Sequence, residues 1–511
     1  MEMSARNSIV LVTVDCLRAD HVGFMGYPRR TTPFLDSLAG ESFVFPAAIA
    51  AGAPTYYSVP AIMASRHPLA LGRDVLGLAP DEVSLASVLK QAGYATASFS
   101  ADNPYISSRF GYERGFDAFR DLKSDTAPIA DRKSAVSETR WTTRLNQGLQ
   151  GLASVWRPME SAYDELYFQY CQRVLPHANS VEGLRPYPAA DVIVDQARAW
   201  LGSVGKAPFF LWLHLMDPHW PYYPKEEAQE LMGRRSVTPF RARYLNSYWN
   251  RSDLGPRRLA RHTDDVVALY DAGIRWADVQ LARLVESLRE AGQWDKCIFT
   301  LTADHGEEFL EHGGRFHSPG LMDELIHVPL LMCVPGSEKR EVGKSPFSLV
   351  DLAPTLLEAA QLPVPSEFRG RSEWDRVRRG TNSDRAAMSE CVVGCTNPFH
   401  PEKRLGSRML SLREERFKLI LQFDSSVERV AERFYDLEAD PGEHAPLAPS
   451  AQKVVRRRLL EAAREHLERS HQQRDRRMSL RARLRDLQLE WTRSFPQRPE
   501  TQASGSRPRP A

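Results

Sequence analysis

Side chains able to hold a metal ion, attack an ester and move a proton are spread through this chain, and most of them close an apolar run. Asp15 ends IVLVTVD, His219 follows FFLWLHLMDP, and Asp304 and His305 end CIFTLTADH. Thr55 lies in APTYYSVP, just ahead of a helix that the pattern has Ser58 cap and Pro60 begin. Carboxylate and imidazole are ligands for divalent cations, and a hydroxyl becomes a nucleophile once its proton has somewhere to go. Histidine titrates close enough to neutrality to move that proton. This is the layout of an α/β metalloenzyme, because an open, mostly parallel sheet gathers its ligands outside the carboxyl ends of its strands.

The elements that must position these groups are readable as alternating patterns. IVLVTV, ATASFSA, PFFLWLHL, CIFTLTA and VPLLMCVP read as buried strands, separated by amphipathic helices such as SLASVLKQAG and DVQLARLVESLREAG. The alternation predicts a doubly wound, mostly parallel α/β sheet flanked by helices over residues 1–345. A helical insertion at about 125–185 interrupts it, either as a lid over the site or as a peripheral packing unit. A smaller α+β domain is expected at 346–445, where SRMLSLREERFKLILQF reads as antiparallel strands. Residues 446–511 form a basic helical tail with an end too rich in Pro, Ser and Arg to fold alone. Such a tail is either a solvated helix packed on its domain or a surface for an acidic partner.

Five ordered blocks carry a family resemblance. VDCLRADHVGFMGYPRRTTPFLDSLAGESFVF, KAPFFLWLHLMDPHWPYYP, TLTADHGEEFLEHGGRFHSPGLMDELIHVPLLM, DLAPTLLEAAQLPVP and RFYDLEADPGE resemble segments of the sulfatase family, within the alkaline phosphatase superfamily. The resemblance implies hydrolysis of a sulfate or phosphate ester of a small molecule or glycan, with a divalent metal offsetting the repulsion between ester oxygens and nucleophile. It assigns Asp15, Asp304, His305 and Thr55 to the metal, Thr55 to the nucleophile, and His219 and His317 to the ester oxygens and the leaving group. Arg18 and Arg66 are candidates to pair with substrate oxygens, or equally with nearby carboxylates.

Departures from the family pattern matter as much as the match. Formylglycine enzymes carry Cys or Ser where this chain has Thr55, and threonine cannot become formylglycine. Thr55 to Pro60 is instead similar to the threonine segment of phosphoethanolamine transferases, as are GYPRRTTP and His317. Asp304-His305 replaces the usual Asp-Asn, and imidazole shifts the expected metal from calcium toward zinc or manganese. Cys16 follows Asp15 and points either to the core or to the metal. Asp217, His219 and His317 together would make a second metal site, while His214 reads as a core histidine and His312 as a supporting one. A cap or turn role is the plain alternative for Asp15 and Thr55.

Bulk properties bound the reading without narrowing the substrate. With 511 residues, 42% hydrophobic and 26% charged, the chain can bury a large core, and a net charge of +2 gives no global nucleic-acid signal. Six cysteines without zinc-finger spacing suit reduced thiols, with Cys391 and Cys395 able to pair or act separately. The polar start MEMSARNS lacks an export pattern and no apolar run approaches a transmembrane span, so the expected location is cytoplasmic. The function these features support is a metal-dependent hydrolase working through Thr55. The alternatives are a soluble phosphodiesterase or phosphoethanolamine-type phosphotransferase, and a catalytically inactive binding protein.

Overall fold

The computed structural model describes residues 6–73, 75–123, 165–166, 168–170, 172, 180–205, 207–233, 235–336, 340–383, 385–423 and 430–470. Most of the expected insertion and the end of the tail lie outside these residues. Eight strands form the main sheet: β1 (Ser8–Val14), β2 (Phe43–Val44), β3 (Ala95–Ala101), β4 (Ala118–Leu122), β5 (Phe209–Leu215), β6 (Cys297–Ala303), β7 (Leu330–Cys333) and β8 (Arg340–Glu341). Their spatial order is β8-β2-β7-β6-β1-β5-β3-β4. The five from β6 to β4 run parallel, and β7 is antiparallel to β6. All seven residues of β1, β5 and β6 are buried, as continuous apolar runs require when helices cover both faces.

Register explains why distant residues meet. Val14 is paired with Leu215 on one side and Ala303 on the other, so Asp15, Met216 and Asp304 leave the sheet side by side. Helix Thr263–Glu290, 28 residues long, buries the apolar face of its pattern against the sheet. At Gly273 an added Cβ would lie 2.4 Å from the Asp217 carbonyl oxygen, so only glycine lets that helix approach the loop after β5. No helix among the described residues is long and apolar enough to cross a membrane.

The C-terminal part is a four-stranded antiparallel sheet of β9 (Ala387–Val392), β10 (Arg408–Glu414), β11 (Phe417–Phe423) and β12 (Val430–Asp436). It has its own core of Leu410, Leu412, Leu419, Leu421, Phe423 and Phe434. A helix over 453–470 closes that core with Leu459 and Ala463, and His466 meets the buried Glu390 at 2.8 Å. This stretch of the charged tail is therefore a packed helix. The sheet docks against the loop ahead of Thr55: Glu390 N–H donates to the Ala51 carbonyl at 2.7 Å and Ser389 Oγ to that of Ala50 at 2.6 Å. Gly52 has no room for a Cβ because the Glu390 carbonyl would lie 2.3 Å away. Cys391 and Cys395 are both buried free thiols.

Candidate active site

Asp15, Thr55, Asp304 and His305 converge at the carboxyl ends of β1 and β6, all at 3% exposure or less. Thr55 Oγ1 lies 3.1 Å from His305 Nε2 and 3.5 Å from Asp15 Oδ2. The His305 Nδ1–H donates to the Gly306 carbonyl at 2.9 Å, which leaves the Nε2 lone pair facing Asp15 Oδ1 at 3.5 Å and Asp304 Oδ2 at 3.4 Å. A histidine fixed in this tautomer by its outer nitrogen is prepared for a metal on its inner one. Asp304 Oδ1 accepts the His305 backbone N–H at 2.9 Å, whereas Oδ2 is buried without a hydrogen-bond partner. Two buried carboxylates, one with an orphaned oxygen aimed at an imidazole lone pair, fit a divalent cation.

Thr55 opens helix Thr55–Ala64, every residue of which is buried. The sequence suggested a helix capped by Ser58 and begun at Pro60. Instead Ser58 lies inside the first turn and donates to the Thr55 carbonyl at 3.3 Å, and Pro60 is an interior residue. Tertiary packing has overridden the usual preference of proline for a helix start. The consequence is that Thr55 stands at the amino end of a ten-residue helix, where free N–H groups favour an anion.

Electrostatics divide the neighbouring groups. Burial would raise the Asp15 pKa, but His219, His214 and His305 around it prevail and hold it well below the ordinary carboxylate range. Burial and the charge of Asp15 push Asp304 the other way. His219 is lowered to about 4 by burial, and its Nδ1–H donates to the Trp220 carbonyl. Burial also opposes charge on His317, yet Glu307 at 2.8 Å from its Nδ1 raises its pKa. The two rings lie 4.8 Å apart, and His317 is also 4.9 Å from the His305 ring. The surroundings thus disfavour a proton on one imidazole and favour it on its neighbour.

Several assignments change. The buried Arg18 guanidinium grips Asp20 with two bonds of 2.8 and 2.7 Å, Glu311 at 2.5 Å and the Glu307 carbonyl at 2.9 Å. Arg66 is likewise held by Glu82, the Pro68 carbonyl and the Gly77 carbonyl. Both arginines pair with protein oxygens, carboxylates among them, which is one of the two roles the sequence left open. Asp217 pairs with Arg185 at 3.0 Å instead of joining His219 and His317 in a second metal set. His214 is more than a core histidine, since its Nε2 is 3.2 Å from Asp15 Oδ2 and its Nδ1 2.8 Å from the Thr13 hydroxyl. Its donor atom and those of Asp15 and Asp304 lie within 4.8 Å of one another. Cys16 takes a left-handed φ of 61° and turns its buried Sγ toward the site, 3.1 Å from Asp15 Oδ1 and 3.4 Å from His317 Nδ1. His312 is held 2.6 Å from Glu324 in a separate cluster.

Asn103 and Glu307 are additions that the sequence reading missed. Asn103 Nδ2 donates to Asp15 Oδ2 at 2.8 Å and lies 3.3 Å from His214 Nε2, while its Oδ1 accepts the Tyr105 N–H at 2.9 Å. It sits two positions beyond β3, so the strand-end rule that flagged Asp15 would also have flagged it. Glu307 is fully buried between His317 and the hydroxyl of Tyr222.

Arylsulfatase K of Rattus norvegicus is 26% identical over 51% of this chain and 49% of its own length, and that of Gallus gallus 24% identical over 86% and 78%. The chain spans about half the length of the curated relatives that lead the comparison. The phosphonate monoester hydrolase of Agrobacterium radiobacter shares the fold, with a TM-score of 0.59, 19% identity and coverage of 92% and 96%. Residues 311–472 match the C-terminal family described as N-sulphoglucosamine sulphohydrolase. Residues 7–362, which contain every strand of the main sheet and every side chain around Thr55, match the sulfatase family, and the chain belongs to it.

Proposed function

We propose that this protein is a divalent-metal-dependent hydrolase of sulfate or phosphate esters whose nucleophile is the Thr55 hydroxyl. The observation that carries the reading is the placement of Thr55 Oγ1 between His305 Nε2 and Asp15 Oδ2, at the amino end of a buried helix. Asp15, Asp304, His305 and Thr55 would hold the cation, which supplies positive charge against the ester oxygens. Imidazole in that set, with a thiol beside it, favours zinc or manganese over calcium.

Thr55 Oγ1 forms the new bond to sulfur or phosphorus and passes its proton to the Asp15 carboxylate, whose Oδ2 lies 3.5 Å away. The bond to the leaving alcohol breaks, and that oxygen takes a proton from His317, whose Nδ1 is braced by Glu307 and whose Nε2 is left for the substrate. His219, whose Nδ1–H donates to the Trp220 carbonyl, would need a proton on its other nitrogen to bind a non-bridging oxygen. Water then attacks the sulfo- or phospho-threonine, releasing the anion and restoring the hydroxyl. The names of the relatives lean toward a sulfate ester, including those of glycans. Transfer to an alcohol acceptor, or phosphodiester cleavage, is the second reading, favoured by threonine in place of a convertible cysteine or serine.

Turnover of an aryl sulfate, an aryl phosphate, a bis-aryl phosphate and a phenyl phosphonate, each with zinc, manganese or calcium restored, tests both readings. Ester cleavage that depends on zinc or manganese and disappears in Thr55→Ala supports the proposal, and cleavage surviving that substitution overturns the nucleophile. Diester turnover exceeding sulfate turnover would move the assignment to the second reading.

A further inference from the structure

A row of aromatic rings begins at Tyr56, the residue after Thr55, and ends at an exposed arginine. Tyr56, next to Thr55, meets Tyr105 edge to face at 5.0 Å, and Tyr105 stacks on Phe399 at 5.4 Å with an interplanar angle of 21°. Phe399 stacks in turn on Phe110 at 5.9 Å, and the Arg109 guanidinium lies over Phe399 at 5.2 Å and over Phe110 at 5.6 Å. Exposure rises along the row, from 5% at Tyr56, through a partly buried Tyr105, to 37% at Phe399. Arg109 is exposed and forms no ion pair with any described residue.

Both ends of the row are tied to the site. Tyr105 donates its backbone N–H to Asn103 Oδ1, and the amide nitrogen of the same side chain donates to Asp15. Phe399 belongs to the loop between β9 and β10, which Tyr56 fastens through its hydroxyl to the Cys395 carbonyl and Arg73 fastens through the Arg404 and Gly406 carbonyls. A row of aromatic side chains beside an exposed cation is complementary to a ring that carries a second anionic group.

We propose that Tyr105, Phe399 and Arg109 form a specificity wall that takes the organic part of the ester, with the rings against its apolar face and Arg109 reading a second sulfate or phosphate. The inference rests on the hydrolase reading above. The same chemistry is presented by a sugar ring and by an aryl ring, and the wall recognises what they share, an apolar face beside a second charge.

The test compares metal-loaded wild type, Arg109→Ala, Arg109→Lys and Phe399→Ala on a disulfated monosaccharide, its monosulfated counterpart, and benzene mono- and disulfate esters. KM and kcat are read from turnover and Kd from calorimetry. Arg109→Ala is expected to lower the preference for the doubly charged ligand about tenfold, through KM and Kd and not kcat, with Arg109→Lys recovering part of it. Phe399→Ala is expected to weaken the singly and doubly charged ligands alike. The sugar and aryl pairs show which ring the wall prefers. An unchanged preference in Arg109→Ala, or a loss confined to kcat, overturns the wall and leaves the hydrolase reading standing. Arg109-dependent binding of the disulfated ligand without turnover supports the wall and removes the hydrolase reading.

Discussion

At Thr55 a secondary hydroxyl does the work proposed for the nucleophile, so its removal and its conservative replacement should separate cleanly. Thr55→Ala is expected to lower kcat about a thousandfold or more with metal content retained through the aspartates, while Thr55→Ser keeps measurable turnover. Metal analysis beside steady-state kinetics checks both. Asn103 acts one step away: it holds Asp15 Oδ2 and has no place in the reacting set. Asn103→Leu should weaken metal affinity or activity about 10- to 100-fold, read as a metal titration of the variant. Residue types at strand ends, together with the family resemblance, singled out Asp15, Thr55, Asp304 and His305, which the structure brings together. They did not separate Arg18 from a substrate ligand, since a guanidinium that binds Asp20 and Glu311 looks the same in sequence as one that binds an ester. Glu307 was hidden in an acidic run, where its burial against His317 leaves no trace.

Among the elements, the strands were the legible part. The five apolar runs read from the sequence are β1, β3, β5, β6 and β7, because a strand covered on both faces has few alternatives to branched and aromatic residues. Direction was less legible: nothing in VPLLMCVP distinguishes an antiparallel β7 from a parallel one. The helix start at Thr55 was misjudged because Pro60 is a local signal and the packing that overrode it is not. The charged segment 453–470 also hid a docking face, since only Leu459, Ala463, His466 and Ser470 of it are buried. Leu459→Ala should cost about 2–5 kcal/mol and lower the melting temperature, with a smaller effect on kcat than on stability. Calorimetric melting of the metal-loaded protein tests it.

For the molecule as a whole, stability depends on the junction between the two sheets. Lys418 is wholly buried between Asp323 at 2.7 Å and Glu443 at 2.8 Å, and Arg413 reaches Asp323 at 2.7 Å. Burial works against the charge on Asp323, but Arg413 and Lys418 prevail and hold its pKa below the usual 3.8. A depressed carboxylate contributes stability that is present above its unfolded value and lost as pH falls toward its folded one. Asp323→Asn should therefore cost about 3–5 kcal/mol at pH 7, with the gap to wild type closing as pH drops below 3.8. Urea midpoints across that range decide the point. The order in which the main sheet is made has a further consequence. Of the main-sheet strands β1 is made before all the others, and it lies between β5 and β6, whose residues follow some two hundred and nearly three hundred positions later. At about 5–20 residues per second, both edges of β1 wait roughly 10 s or more for their neighbours. The ribosome thus releases the centre of the sheet before its partners, and a newly made chain needs shelter for that apolar strand until residue 303 has emerged.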